Sequence, residues 1–251
     1  MAFPLGSLFH SASSPELLLA PQDIVDETCD SSISSGRAAR LSPLQERIAP
    51  PAKTQGVDLL QTLKVRLAET PGHDLPPHPH LRAGVLVPVF EAGGVPHLLL
   101  TKRTETVEHH KGQISFPGGR QEDLDPDLLT TALREAFEEI GLEPSSVDVW
   151  GRLDEIETVV SGFAITPYVG LVPPPVGLRP NPYEIDEIIT VPLPVFLDPT
   201  NLRVEQHIRD GRPRDLLFYS YPPHVIWGAT ARIISGLVGL LTTEPARGSG
   251  R

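Results

Sequence analysis

The chain has 251 residues, of which 39% are hydrophobic and 28 are proline, and its formal net charge is -11. A hydrophobic share below the usual globular level, with so much proline, points to one folded domain diluted by irregular sequence. The acidic balance argues against a nucleic-acid backbone as the main partner, since that needs clustered Lys and Arg, but leaves room for a small anion bound beside a divalent metal.

Cys29 is the single cysteine, so no intrachain disulfide can form. The stretch MAFPLGSLFH lacks a basic n-region and a continuous apolar core, and does not read as a secretory signal. The apolar run at residues 233–241 is too short for a bilayer, which takes about 20 residues. A cytoplasmic protein with a small-molecule partner is the expectation, without nucleic acid or membrane, and with a homodimer left open.

Residues 1–55 are rich in Ser, Pro and Ala and hold no persistent period, so they read as a flexible, disordered extension. Val57, Leu60, Leu63 and Leu67 then recur at helical spacing. A proline-studded connector, TPGHDLPPHPH, follows; its His73, His78 and His80 lack an ordered frame and are not read as a zinc site. Residues 83–90 (AGVLVPVF) and 96–101 (PHLLLT) read as strands joined by a hairpin turn at 91–94. Further β-like runs lie at 147–153, 156–160, 164–171 and 188–191, with helices at 126–140 and about 229–241. Strands mixed with few helices predict an α+β domain, a mixed sheet packed between helices. The folded part is expected over residues 56–242, with a disordered tail at 243–251, and Trp150 and Trp227 are expected in the core.

The chemistry concentrates in FPGGRQEDLDPDLLTTALREAFEEIGL, residues 116–142. Asp125 before Pro126 is a good helix start, and Gly141 a good stop. Leu128, Leu129, Ala132, Leu133, Ala136, Phe137 and Ile140 form an apolar stripe expected to pack on a sheet. Glu135, Glu138 and Glu139 line one edge of that stripe. Three like charges at these spacings repel, and half-burial raises the cost unless something positive sits among them. A hard divalent cation with oxygen ligands answers that need. A solvated acidic face with Arg134 as partner is the competing reading of the spacing alone. Upstream, Gly118 and Gly119 let backbone groups approach a metal or phosphate without a Cβ in the way.

These residues resemble the Nudix box, G-x5-E-x7-R-E-U-x-E-E-x-G-U with U aliphatic. Arg134, Glu135, Glu138, Glu139, Gly141 and Leu142 match its second half, with Ala136 at the first aliphatic position. The first half departs: counting from Gly119, Asp125 takes the Glu position and eight residues rather than seven precede Arg134. The preceding stretch LLTKRTETVEHHKGQISFPGG, residues 99–119, is similar to the motif of the coenzyme A pyrophosphatase branch, as are SGFAITPYVGLV, EIDEIITVPL and VIWGATARII further on.

The resemblance implies a Nudix fold and Mg²⁺- or Mn²⁺-dependent hydrolysis of coenzyme A, or its acyl or oxidised forms, to 3',5'-ADP and 4'-phosphopantetheine. It implies a metal on Glu135, Glu138 and Glu139 with the backbone of Gly118. Glu135 or Glu184 would take the proton of the attacking water, with Glu138 as a further catalytic carboxylate. Arg103, Lys102, Lys111 and Gln113 would meet the substrate, Arg in a forked phosphate contact. Arg134, Asp125, Gly119 and Gly141 would shape the motif, Arg134 by pairing with a carboxylate. His109 and His110, adjacent on a strand, face opposite ways and do not read as a metal pair. Two other readings stay open: a Nudix pyrophosphatase for another nucleoside diphosphate derivative such as ADP-ribose, and a Nudix-fold binding or regulatory module without catalysis.

Overall fold

The computed structural model describes residues 58–105, 112–158, 162–209 and 212–243. The expected N-terminal extension, His109, His110 and Lys111 lie outside them. The order is helix α1 (Leu59–Glu69), strands β1 (Leu81–Ala92), β2 (Val95–Arg103), β3 (Ile114–Ser115) and β4 (Gly118–Arg120), helix α2 (Leu128–Ile140), strands β5 (Asp148–Arg152), β6 (Ile156–Glu157), β7 (Phe163–Leu171) and β8 (Ile185–Pro192), helix α3 (Leu193–Leu197), strands β9 (Leu202–Arg209), β10 (Arg212–Tyr221) and β11 (His224–Trp227), and helix α4 (Gly228–Thr242).

An eight-stranded mixed sheet runs β3-β2-β1-β7-β5 along its main path, with β1 and β7 parallel and β1 and β2 antiparallel. The hairpin pairs only its tip, Val89 to Ala92 with Val95 to Leu98, and then splays. Strand β4 pairs with the lower part of β1, with Ala83, Gly84 and Val85 opposite Arg120, Gly119 and Gly118. The opening between two diverging strands therefore receives the glycine pair.

Strand β1 is buried on both faces, and its alternation feeds two cores. Val85, Val87 and Val89, with Leu98 and Leu100 of β2, pack with Leu63 and Leu67 of α1 and with Ile234, Leu237 and Val238 of α4. On the other face Leu86, Phe90 and Leu99 meet Ala132, Ala136 and Ile140 of α2. The sheet lies between helices, as its mixed pattern predicts.

Four local expectations need correction. The cap of α2 is Asp127, whose side chain accepts from the amide of Thr130, and not Asp125. Phe137 of the expected stripe is exposed, while Thr131 and Glu139 are buried on the packed side. Of the two tryptophans, Trp150 is partly buried, packed against the core while donating to Asp148 at 2.8 Å, but Trp227 stands exposed, stacked on Phe218. Last, β9, β10 and β11 form a separate three-stranded antiparallel sheet that sequence periodicity does not predict. Its inner residues Leu202, Leu217, Tyr219 and Ile226 join the core shared with α1 and α4.

The close approach of α2 to β1 depends on Gly84, where an added Cβ would stand 2.1 Å from the carbonyl oxygen of Leu128. Backbone must move to relieve such a clash. Gly84→Ala is expected to lower unfolding stability by about 2 kcal/mol or more, read by urea denaturation; a variant of unchanged stability would contradict this contact.

Candidate active site

The first turn of α2 is capped by Asp127 and its last ends at Gly141, in the left-handed conformation at φ 69°. That frame sets Glu135 and Glu139 one turn apart, on the side of the helix that faces β4. Gly119 makes room for the first: a Cβ there would lie 2.4 Å from Oε1 of Glu135. Gly118 has φ 155°, and a Cβ would lie 2.5 Å from the carbonyl oxygen of Gly84. The two glycines let the strand, the helix and two carboxylates share one small space.

Glu139 is the most confined of the acids, with 2% of its surface exposed. Nη1 of Arg103 donates to its Oε1 at 3.2 Å. Its Oε2 has no hydrogen-bond partner among the described residues, although it is fully enclosed. Burial pushes its carboxyl up to about 8; repulsion from Glu135 and Glu184 adds to the rise, while Arg103 and the Gly118 amide oppose it. Burial also raises Glu135, against the pull of Arg134.

Arg134 is fully engaged. Its Nε and Nη2 grip Asp125 at 3.1 and 3.0 Å, and its Nη1 lies 2.9 Å from Glu138 and 3.0 Å from Glu135. The guanidinium holds Asp125 down to about 2, the Glu122 amide and Thr131 hydroxyl assisting. Asp125 thus anchors Arg134 from outside the helix, a forked pair of the strong kind.

Glu184, which the family resemblance names beside Glu135, arrives from a distant loop. The amide of Arg179 donates to the carbonyl of Ile140 at 2.9 Å, and that of Asn181 to the carbonyl of Glu139 at 2.8 Å. These bonds satisfy the open end of the helix and draw the loop against it. Glu184 then lies 3.7 Å from Nη2 of Arg103 and 3.5 Å from the Asn181 amide group. Asn181 is the positioning residue missed in the sequence; the only signal is that helix-end carbonyls past Gly141 need donors.

The structure brings together Gly118, Gly119, Arg103, Glu135, Glu139 and Glu184, with Arg134 and Asp125 behind. Glu138 is further out, with its side chain 53% exposed. Lys102 pairs with Asp186 at 3.1 Å instead of joining the carboxylates, and that bond raises its pKa. Gln113 enters through its backbone, its carbonyl accepting from the amide of Arg103 at 3.0 Å. The expected positive charge among the glutamates is present as guanidinium. Among the described residues no three His, Cys, Asp or Glu side chains already converge as a metal-holding group. The reason is visible in the ion pairs, since Arg134 draws Glu138 outward and Arg103 takes one oxygen of Glu139. The donor chemistry nevertheless suits a hard divalent cation: buried carboxylate oxygens, one of them orphaned.

A groove of about 460 Å³ opens beside this cluster, lined by Arg120, Gln121, Glu122, Asp123, Leu124 and Glu135. A second cavity of about 380 Å³, between Thr70, Leu153, Leu217 and Arg232, contains none of the site residues. His73, His78 and His80 serve elsewhere, each near a carboxylate: Asp154, Glu155 and Glu157 respectively. No helix among the described residues is long and apolar enough to cross a membrane.

The NUDIX domain family model matches residues 80–207, which span the glycine turn, the acidic helix and Glu184. The chain belongs to the Nudix hydrolase family. It is 39% identical over 169 residues to an uncharacterised Nudix hydrolase NudL of Photorhabdus laumondii, covering 65% of this chain and 89% of that protein. A NudL of Cronobacter sakazakii is 37% identical over 164 residues, covering 65% and 84%. Among solved structures, a Nudix hydrolase of M. smegmatis, RenU, aligns at 22% identity and TM-score 0.39, over 46% of this chain and 72% of that one. As a Nudix hydrolase the chain is an enzyme of pyrophosphate-type bonds, in a family that uses divalent metals.

Burial of Glu139 has a consequence for stability without metal. Its pKa is raised from 4.5 to about 8 on folding, so across that window the folded chain keeps a proton that the unfolded chain releases. Stability from this group is therefore full below pH 4.5 and falls as pH rises to about 8. With chelator present, Glu139→Gln is expected to remove this decline, becoming more stable than the parent at high pH by roughly 1–4 kcal/mol. Thermal unfolding of both proteins across pH checks this; parallel curves would refute it.

Proposed function

We propose that this Nudix hydrolase splits the pyrophosphate of coenzyme A, or of its acyl or oxidised derivatives, giving 3',5'-ADP and 4'-phosphopantetheine or its acyl form. The observation that carries the hydrolytic reading is the enclosed, partly orphaned carboxylate of Glu139 beside Glu135 and the Gly118–Gly119 turn. The choice of coenzyme A rests on LLTKRTETVEHHKGQISFPGG, whose Arg103 reaches the carboxylates.

Glu139, Glu135 and Glu138, with the backbone of Gly118, would hold Mg²⁺ or Mn²⁺, which supplies Lewis-acid polarisation of the diphosphate oxygens. The remaining work falls to side chains. Water attacks one phosphorus; a P–O bond forms from water as the bridging P–O bond breaks, and the leaving phosphate departs with the bridging oxygen. Glu184 accepts the water's proton: its side chain is 43% exposed, and its contacts at 3.7 and 3.5 Å leave lone pairs available. Glu135 is less suited, being pressed against Gly119 and paired with Arg134 at 3.0 Å. Among the described residues, Arg103 is a cation beside the carboxylates whose side chain is able to meet phosphate. Arg134 stays structural, since Asp125 occupies its fork. Arg120 and Gln121 line the groove that would receive the rest of the substrate.

Glu139→Gln should lower kcat by about 10²-fold or more, the scale of losing a principal electrostatic stabiliser, with the fold retained by circular dichroism. A near-normal rate would remove Glu139 from the reaction. In a comparison of purified protein on coenzyme A and ADP-ribose with Mg²⁺ or Mn²⁺, coenzyme A is expected to be turned over faster. Equal or better turnover of ADP-ribose would retire the coenzyme A reading and leave the hydrolase.

A further inference from the structure

The two guanidinium groups of the site are held in different ways. Arg134 grips one carboxylate with two parallel bonds and keeps Nη1 on two more. Arg103 has no such fork: Nη1 touches Oε1 of Glu139 at 3.2 Å and Nη2 reaches Glu184 only at 3.7 Å. Single-point contacts at these lengths are weaker than a bidentate pair.

The backbone of Arg103, by contrast, is fixed. Its amide donates to the carbonyl of Gln113, its strand partner on β8 is Ile185, and the next amide, of Thr104, donates to the carbonyl of Glu184. Among the described residues the side chain is held by those two carboxylate contacts only, at the end of β2 where the register slips between Lys102 and Arg103. A long side chain on a rigid anchor moves its charge by rotamer change alone.

We infer that Arg103 is an exchangeable counter-ion: it holds Glu139, with Glu184 beside it, until a divalent cation takes Glu139, and then turns to the diphosphate of the substrate. The inference rests on the metal-dependent reading above. Charge decides the order. While Arg103 is the cation on Glu139, an incoming diphosphate would have to pull it off a carboxylate with 2% exposure, leaving that charge buried and unpaired. The same diphosphate would also face Glu135 and Glu184. A divalent cation on the free Oε2 of Glu139 replaces the lost positive charge and repels the guanidinium, so metal binds first and releases the phosphate ligand. Lys102 is no substitute, being tied to Asp186 at 3.1 Å.

The test is calorimetric titration of the full chain with Mg²⁺ alone, in alkaline buffer so that proton competition is removed. Arg103→Ala is expected to bind Mg²⁺ about tenfold tighter than the parent, because a competing charge has gone. Unchanged or weaker affinity would overturn the exchange, while leaving the hydrolase reading intact. A folded parent that takes up no Mg²⁺ would overturn both. If Arg103→Ala does not fold, the parent itself supplies the answer: the arginine Nε–Hε resonance that Arg103→Lys removes is expected to shift on Mg²⁺ addition, and a static resonance would overturn the exchange.

Discussion

An ionisable carboxylate enclosed by protein has to meet positive charge or keep its proton, and the site around Glu139 is arranged by that requirement. Glu139 sits on the packed side of α2, among Thr131, Ala132, Ala136 and Ile140, where a residue of its type is rarely found. Its burial follows from the helix lying close on β1, which in turn depends on the missing Cβ of Gly84. Arg103 supplies one positive contact, and the second oxygen is left without one. An arrangement so costly to a bare domain makes sense where a stronger cation completes it.

The departure from the usual family spacing acquires a physical reading. Asp125 lies three residues before the first residue of α2, and Asp127 does the capping instead. Freed from the cap, Asp125 accepts from Glu122, Thr131 and Arg134 together, buried at 8% exposure. The carboxylate and the lengthened spacer therefore act as one unit: a shorter acid held farther back still reaches the guanidinium. Arg134 is then pinned between Asp125 and the helix, and its remaining nitrogen spreads Glu135 and Glu138. Asp125 and Arg134 so govern where two of the glutamates stand without needing to touch a substrate.

The sequence makes some of this plain and hides the rest for identifiable reasons. Strands β1 and β2 and helix α2 are legible because their apolar runs are long and bounded by turn residues such as Gly93, Gly94 and Gly141. The proximity of Glu135 and Glu139 follows from helical spacing alone. The choice between Asp125 and Asp127 does not, since both are short acids ahead of the same helix and only tertiary pairing with Arg134 separates them. Glu184 is named by the family resemblance, but the backbone bonds from Arg179 and Asn181 that bring its loop to the end of α2 leave no trace in residue type. The sheet of β9 to β11 escapes because its alternation is diluted by charge: Arg203, Glu205 and His207 face outward in β9, and exposed Ile208 breaks the pattern.

That second sheet and α4 bear on the site although the family match stops at residue 207, inside β9. The strands that carry Arg103 and receive the glycine turn are buried on two faces, and α2 covers only one. The opposite face is sealed largely by residues past that limit, among them Leu217, Tyr219, Ile226, Ile234 and Leu237. The hydroxyl of Thr230 in α4 donates to the carbonyl of Ile114 at 3.0 Å, on the strand that runs directly into Phe116 and the two glycines. Phe116 is itself part of that core. A turn that must hold two glycine backbones against two carboxylates tolerates little slack, because every ångström it moves changes the space around Glu135 and Glu139. The C-terminal elements thus form the rear support of the glycine turn, and the folded enzyme is larger than the segment that carries its family signature.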